Sequence, residues 1–391
     1  MFRDNLRHYM AHYFAPNISH QLRELFFSSA VLDFAVASVM IFEPIYLYTL
    51  GFSLQKILLF YLALYIVYFF MLPFGGRICR ARGFEHAMFY SSFFLILYYA
   101  ALFGISITLW CVPVAIVALA MQKTLYWTGF HANFAVHTDT SGEGREVSNR
   151  VAISAFVQSI APAFGGVVLG TFGFPGLFVM VSALVFASNF ILLKVPETFS
   201  VEEFSYRDAL ARPFEKKRRR VLFSFFGFGE ELIAFVLWPI FMLLIIPNYF
   251  SLGVIISFAM LVNVFVTLYI GRACDEGSRG TVLRSGAVFT SLSWIIRPLA
   301  AGGMGIFLID SFYRVSRNMV GIPLIASVYE HGREGSVTET AVFFEMALSI
   351  GKIAAALLCL IALALFSSPW PALFFIGAAF TMLYSIQKTK N

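Results

Sequence analysis

The chain alternates long apolar runs with short polar breaks from end to end. A helix needs about 17–25 apolar residues to cross the hydrocarbon core of a bilayer. Runs of that kind predict twelve spans, at 24–49, 54–73, 86–104, 107–136, 149–171, 174–194, 221–246, 251–270, 281–297, 303–329, 338–366 and 371–387. No separate short apolar segment precedes Leu25. The N-terminal stretch therefore reads as a charged lead-in to the first span rather than a cleaved signal.

The polar breaks carry a bias. With the N-terminus on the cytoplasmic side and strict alternation, the 28 Lys and Arg residues fall in cytoplasmic segments with six exceptions. Lys56 and Arg297 lie near outer loops, and Lys123, Arg314, Arg317 and Lys352 lie within spans. Such a distribution is the positive-inside signature and orients the chain with both termini cytoplasmic, in a cell (inner) membrane. The basic run at 215–220 reads as a cytoplasmic stop ahead of the seventh span.

Composition sharpens this picture. The 391 residues are 59% hydrophobic and 13% charged, with 46 Phe and 17 Tyr. A soluble domain carries about a quarter charged residues, so this much apolar surface calls for lipid as its solvent. The net charge of +6 does not indicate nucleic acid, because the basic residues sit in scattered loops and not on one face. The four cysteines form no CxxC and no metal-ligand spacing. No nucleophile elbow, zinc-protease or phosphate-loop pattern occurs, so the sequence calls for neither an enzyme nor a cofactor.

An internal repeat organises the spans. Gly144-Arg145-Glu146 follows the fourth span, and Gly332-Arg333-Glu334 follows the tenth, 188 residues later. The loop after span two, "GGRICRARG" (75–83), is answered by "GRACDEGSRG" (271–280) after span eight. Two six-helix halves in parallel follow: 1–194 and 221–391, joined by a polar linker at 195–220.

At these residues the chain resembles the major facilitator superfamily along essentially its whole length. The loop between helices two and three in that family reads roughly Gly-x-x-x-Asp-Arg-x-Gly-Arg-Arg. The second-half copy keeps Gly271, Asp275 and Arg279. The first keeps Gly76 and Gly83, but Arg80 stands where the acid belongs. "APAFGG" (161–166) in the fifth span resembles the family's antiporter motif, with Pro162, Gly165 and Gly166 matching and Ala161 replacing the first glycine. The resemblance implies an all-α membrane protein, twelve transmembrane helices in two pseudo-symmetric six-helix bundles, with helices one, four, seven and ten lining a central cavity. Independently of any family, Pro162 bends its helix, and Gly165 and Gly166 let a neighbouring backbone come close. Helix packing or a tight seam resisting leak both fit.

Ionisable residues inside spans supply the candidate chemistry. A charge at the bilayer centre costs about 2.5–3.5 kcal/mol on insertion scales and persists mainly beside a partner or a wet path. Asp33 lies ten residues after Arg23, and Glu230 ten after Arg220, which puts both roughly 15 Å deep. Asp33, then Glu230 or Glu231, are the proton-coupling candidates, because a desolvated carboxyl exchanges protons near neutrality. In span ten, Asp310, Arg314, Arg317 and Gly321 follow i, i+4, i+7, i+11 and share a face. The positions 188 earlier are Gln122, Tyr126, Gly129 and Asn133, a neutral stripe bordered by Lys123. With Lys352 these are the candidate substrate contacts. Asp310 and Arg314 equally fit a pair that neutralises itself. Glu43, beside Pro44, reads as wetted from outside; Glu345 reads as near enough to the inner mouth to meet a loop cation; His131 and His137 read as packing or mouth residues. Tyr126, Trp127 and Trp238 fit either a cavity wall or packing.

The expected function is secondary active transport of a small, amphipathic molecule by a monomer, coupled to protons, with export favoured by the fifth-span resemblance. An importer, a lipid flippase and a receptor or assembly protein on the same fold are the alternatives. Cysteines placed at Ser141 or Ser278 should resist an impermeant thiol reagent in intact cells and label after lysis; labelling from outside at either site would reverse the orientation.

Overall fold

The computed structural model describes residues 20–137, 143–192, 204–276, 279–333 and 336–387. The described residues form helices and no strand. Twelve spans result, in two six-helix bundles. Span one is His20–Met40 continued by Phe42–Thr49; spans two to four are Leu54–Arg82, Phe84–Gly104 and Cys111–His137. Spans five and six share one run, Glu143–Leu192, broken at Gly173. Span seven runs Arg219–Ile245. Spans eight to eleven are Tyr249–Glu276, Arg279–Ile296 with a 3-10 turn Arg297–Leu299, Gly302–Arg333 and Val337–Leu365. Span twelve is Trp370–Leu383 with a 3-10 turn Tyr384–Ile386.

Local chemistry explains the breaks. Gly173 takes φ 66°, ψ −174°, a backbone state that residues with a Cβ avoid. This one residue turns span five into span six, and Pro175 follows where the next helix starts. Span two continues through Arg82, past the apolar run that ends at 73. Its last turn carries Arg80 and Arg82, which favour the negative end of the helix dipole. Ser336 caps span eleven by accepting from the Glu339 backbone N–H at 3.3 Å, and Glu339 sits in that first turn. Span seven is the irregular one: a π-helical segment, Ile233–Leu237, sits between Glu230–Glu231 and Pro239. Pro239 cannot donate to the carbonyl four residues back, and its ring crowds that carbonyl, which favours the wider turn.

Two seams join the bundles. Span two meets span eleven, and span five meets span eight. Adding six to each number exchanges the seams, as a twofold relation between the halves requires. The five–eight seam is built on backbone proximity. A Cβ on Gly166 would lie 2.8 Å from the Tyr249 carbonyl oxygen, one on Gly253 would overlap the Pro162 carbonyl, and the Ala163 N–H donates across to Ser257 Oγ at 2.9 Å. Gly165, one residue earlier, faces the Ser38 carbonyl of span one. The fifth-span stretch therefore lies between its own bundle and the other, as a tight seam would demand. In the two–eleven seam, Gly76 abuts Val342 and also Phe204 of the linker.

The side of the molecule where residues 204–220 lie is laced by polar contacts. Arg80 of span two bonds Ser336 of span eleven. The linker helix Tyr206–Ala211 is tied to both halves: the Tyr206 hydroxyl donates to the Phe70 carbonyl at 2.7 Å, and Arg212 pairs with Glu339. At the opposite, far side Phe42 of span one meets Tyr249 of span eight edge to face, with centroids 6.3 Å apart. The bundles thus touch near both ends.

Gly166→Ala, whose added Cβ meets the Tyr249 carbonyl of span eight, should lower the melting temperature of the detergent-purified protein, corresponding to roughly 1–3 kcal/mol of overpacking. Gly170→Ala, with nothing within 4 Å of its added Cβ, should be neutral or stabilise by up to about 1 kcal/mol through helix propensity. Equal effects of the two changes would refute the seam.

Candidate functional site

The i, i+4, i+7 stripe of span ten faces span seven. Glu230, with 0% of its surface exposed, accepts from Arg317 Nε at 2.7 Å and from the Tyr313 hydroxyl at 2.7 Å. The neighbouring Glu231 takes Arg317 Nη2 at 3.0 Å and Lys352 Nζ of span eleven at 2.8 Å. One guanidinium thus bridges two adjacent carboxylates, and a lysine completes a quartet of two positive and two negative charges. Adjacent residues of a regular helix point about 100° apart, and here Arg317 reaches both because its donors form a wide planar fork. The guanidinium also lies 5.1 Å from the Phe228 ring centre and 5.0 Å from that of Tyr384, a favourable placement for a desolvated cation.

Toward the far side the same stripe carries a second group. Asp310 accepts from Arg314 Nε at 2.6 Å and from Trp238 Nε1 at 3.0 Å. Close by, Arg297 of span nine is enclosed by aromatic faces: its Cζ lies 3.5 Å from the Trp294 ring centre and 4.4 Å from those of Trp238 and Tyr313. Sequence reasoning put Arg297 near an outer loop. It lies in the 3-10 turn Arg297–Leu299 that ends span nine, and its side chain is fully buried. The Trp294–Arg297 spacing of three, which stacks residues along one helix face, was the available signal.

A third group crosses between bundles. Glu345 of span eleven accepts from the Tyr68 hydroxyl of span two at 2.8 Å and lies 3.2 Å from His131 Nε2 of span four. All three are buried. Glu345 therefore finds its partners in the first bundle and not among loop cations, and His131 makes a cross-bundle contact that the sequence did not suggest. Lys352 lies 5.1 Å from the Tyr65 ring centre, so the quartet also borders the first bundle.

The first bundle holds its acids differently. Asp33 accepts from Ser154 Oγ of span five at 2.5 Å, and Ser154 in turn accepts from Gln158 at 2.8 Å. Glu43, read from sequence as a wetted outer residue, receives the hydroxyls of Tyr98 at 3.0 Å and Tyr99 at 3.3 Å. Lys123 sits within electrostatic range of both Glu43 and Glu231. Gln122, Tyr126 and Asn133 are buried. Asn133 bonds Glu85 of span three at 3.4 Å, and Gly129 abuts the Phe84 carbonyl, so this end of the neutral stripe faces its own bundle.

The loop-motif residues are less concentrated. Gly76 sits in the two–eleven seam, and Gly83 takes φ 95° at the turn into span three. Gly271 and Asp275 fall within helix Tyr249–Glu276, and Arg279 opens span nine. The backbone is described at Gly271, Asp275 and His137, but the side chains of Asp275 and His137 are not.

No protein-family profile matches the chain, and no curated protein matches it. Solved structures do. It is similar to the E. coli fucose:proton symporter FucP, at 14% identity and TM-score 0.64, over 94% of this chain and 98% of that one, and to FucP in the outward conformation at 15% and 0.65 over the same shares. It is similar to a D-xylose-proton symporter at 12% identity and TM-score 0.70, over 93% and 96%. It is similar to the human organic anion transporter MFSD10 at 12% identity and TM-score 0.66, over 94% and 98%. Identities this low establish the architecture and nothing finer: the fold is that of major facilitator superfamily transporters.

Arg317→Met should destabilise the protein by roughly 3–5 kcal/mol, because it strands the Glu230 charge in the interior. Adding Glu230→Gln should recover part of that loss, as a double-mutant cycle of detergent melting curves would register. Additive losses would mean that the pair is not coupled.

Proposed function

We propose that this chain is a secondary active transporter that moves a small molecule by rocking its two bundles about a central site. The carrying observation is the quartet of Glu230, Glu231, Arg317 and Lys352, drawn from spans seven, ten and eleven and bordering Tyr65 of span two. Charges at that depth are retained mainly where a path or a moving interface needs them. Seams of close backbone contact with a few polar links can part and re-form, as alternating access requires.

Protons are the proposed motor, and Asp33 the proposed carrier. Glu230 and Glu231 are each engaged by cations from spans ten and eleven. Asp33 sits on a Ser154–Gln158 chain between spans one and five. Export is our reading of direction, from the antiporter-like stretch Pro162, Gly165 and Gly166 of span five. Proton-coupled import is the second reading, favoured by the likeness to proton symporters for fucose and D-xylose. The protein is proposed to act as a monomer in the cell membrane, with both termini and the linker cytoplasmic.

Reconstituted Asp33→Asn should fold, lose pH-gradient-driven movement of substrate and keep gradient-free exchange. Fucose, xylose and small organic anions form the first substrate panel. Unchanged gradient-driven transport in this variant would remove Asp33 from the mechanism. Loss in Glu230→Gln alone would move coupling to the second bundle.

A further inference from the structure

Arg297 presents a problem of charge balance. Its guanidinium is 0% exposed, and Nε, Nη1 and Nη2 have no hydrogen-bond acceptor among the described residues. Three aromatic rings satisfy its faces but offer nothing to the N–H groups around its edge. A buried cation whose donors are unmet is expensive, because desolvation is not offset by hydrogen bonds. Asp310, the acid beside it, has both oxygens engaged, Oδ2 by Arg314 and Oδ1 by Trp238. Two guanidiniums therefore share one carboxylate, and the group is one negative charge short.

We propose that this end of the second bundle is an oxyanion subsite, and that the transported molecule carries a carboxylate or phosphate group that completes it. The proposal rests on the transport reading for the statement that the anion is cargo. Arg314 is the point of entry, because its side chain is 19% exposed whereas that of Asp310 is 1% exposed. The arriving oxyanion takes the Arg314 fork. Asp310, displaced, turns to Arg297, whose donors it then satisfies. The cycle begins with one pair and one orphan cation and ends with two pairs. A single negative charge closes the balance, so Asp310 acts as an internal anion holding Arg314 until the cargo arrives. A neutral molecule of the same shape gains none of this.

The test is equilibrium binding to purified protein in detergent, read by tryptophan fluorescence, since Trp238 and Trp294 flank the site. The probes are benzoate, inorganic phosphate and, as the neutral match to benzoate, benzyl alcohol, all at constant ionic strength. Benzoate, phosphate or both should give a saturable change that benzyl alcohol does not give. Response to benzoate alone assigns a carboxylate, and response to phosphate alone assigns a phosphate group. Arg297→Gln should weaken the responding anion by about tenfold or more, the loss of a charge-assisted contact. Asp310→Asn should tighten it several-fold, because the internal competitor is gone. A purely structural Asp310 would give the opposite sign. If Arg297→Gln fails to fold, Arg297→Lys and the sign of the Asp310→Asn effect decide the matter. No saturable response to either anion, equal response to benzyl alcohol, or weaker anion binding in Asp310→Asn would overturn the proposal. The measurement needs no gradient and no turnover. A protein that binds anions but moves nothing in proteoliposomes would sink the transport reading and leave the subsite standing.

Discussion

An ionised side chain in a low-dielectric interior must be matched within a few ångströms or it is lost to the fold. Much of the second bundle follows from that requirement. Glu230 and Glu231 need cations from two different helices, so spans ten and eleven are pinned in rotation and height against span seven. Span seven must point two adjacent carboxylates at one guanidinium, and it is broken into α, 3-10 and π segments around them. Tyr313 ties this quartet to the group above it by donating to Glu230 and stacking on Arg297. The aromatic residues here serve as the low-polarity walls that make the ion pairs strong.

The first bundle solves the same problem by other means. Asp33 and Glu43 are met by hydroxyls of Ser154, Tyr98 and Tyr99. A hydroxyl can accept as well as donate, so such a site tolerates the loss or gain of a proton more readily than a salt bridge does. The halves therefore share a topology and differ in electrostatics: the acids of spans seven and ten meet fixed cations, whereas Asp33 and Glu43 of span one meet hydroxyl donors. Between them the glycines of the five–eight seam leave contact surfaces of backbone and small side chains, which offer little interlocking to hold the bundles together.

Much of the fold was legible because bilayer thickness imposes a length on each apolar run. The ends of helices were not, since beyond the hydrocarbon boundary capping and dipole effects decide, as they do where span two continues to Arg82. In span ten the spacing of Asp310, Arg314 and Arg317 announced one face directly. That Arg317 would serve Glu230 and Glu231, with Lys352 joining them, depends on how three helices are rotated about their axes, and apolar periodicity is silent when a helix is apolar all round. The Tyr98 and Tyr99 hydroxyls on Glu43 and the aromatic rings around Arg297 depend on helix rotation in the same way. In both cases the residue lies at the end of an apolar run, where sequence shows depth but not direction. The Glu345–His131 contact joins residues 214 apart in the chain, a separation no local pattern encodes.

The neutrality of the Glu230–Glu231–Arg317–Lys352 quartet bears on how the membrane voltage acts. A potential of 100 mV exerts about 2.3 kcal/mol on each elementary charge carried across it. A set of two positive and two negative charges, moving together as one rigid group, carries almost nothing. The quartet is then nearly silent to the electric field when the second bundle rocks. The field acts instead on the unmatched positive charge shared by Arg297, Arg314 and Asp310, and on the proton and cargo that travel with it, so an anion seated there would lower the charge that the moving bundle carries.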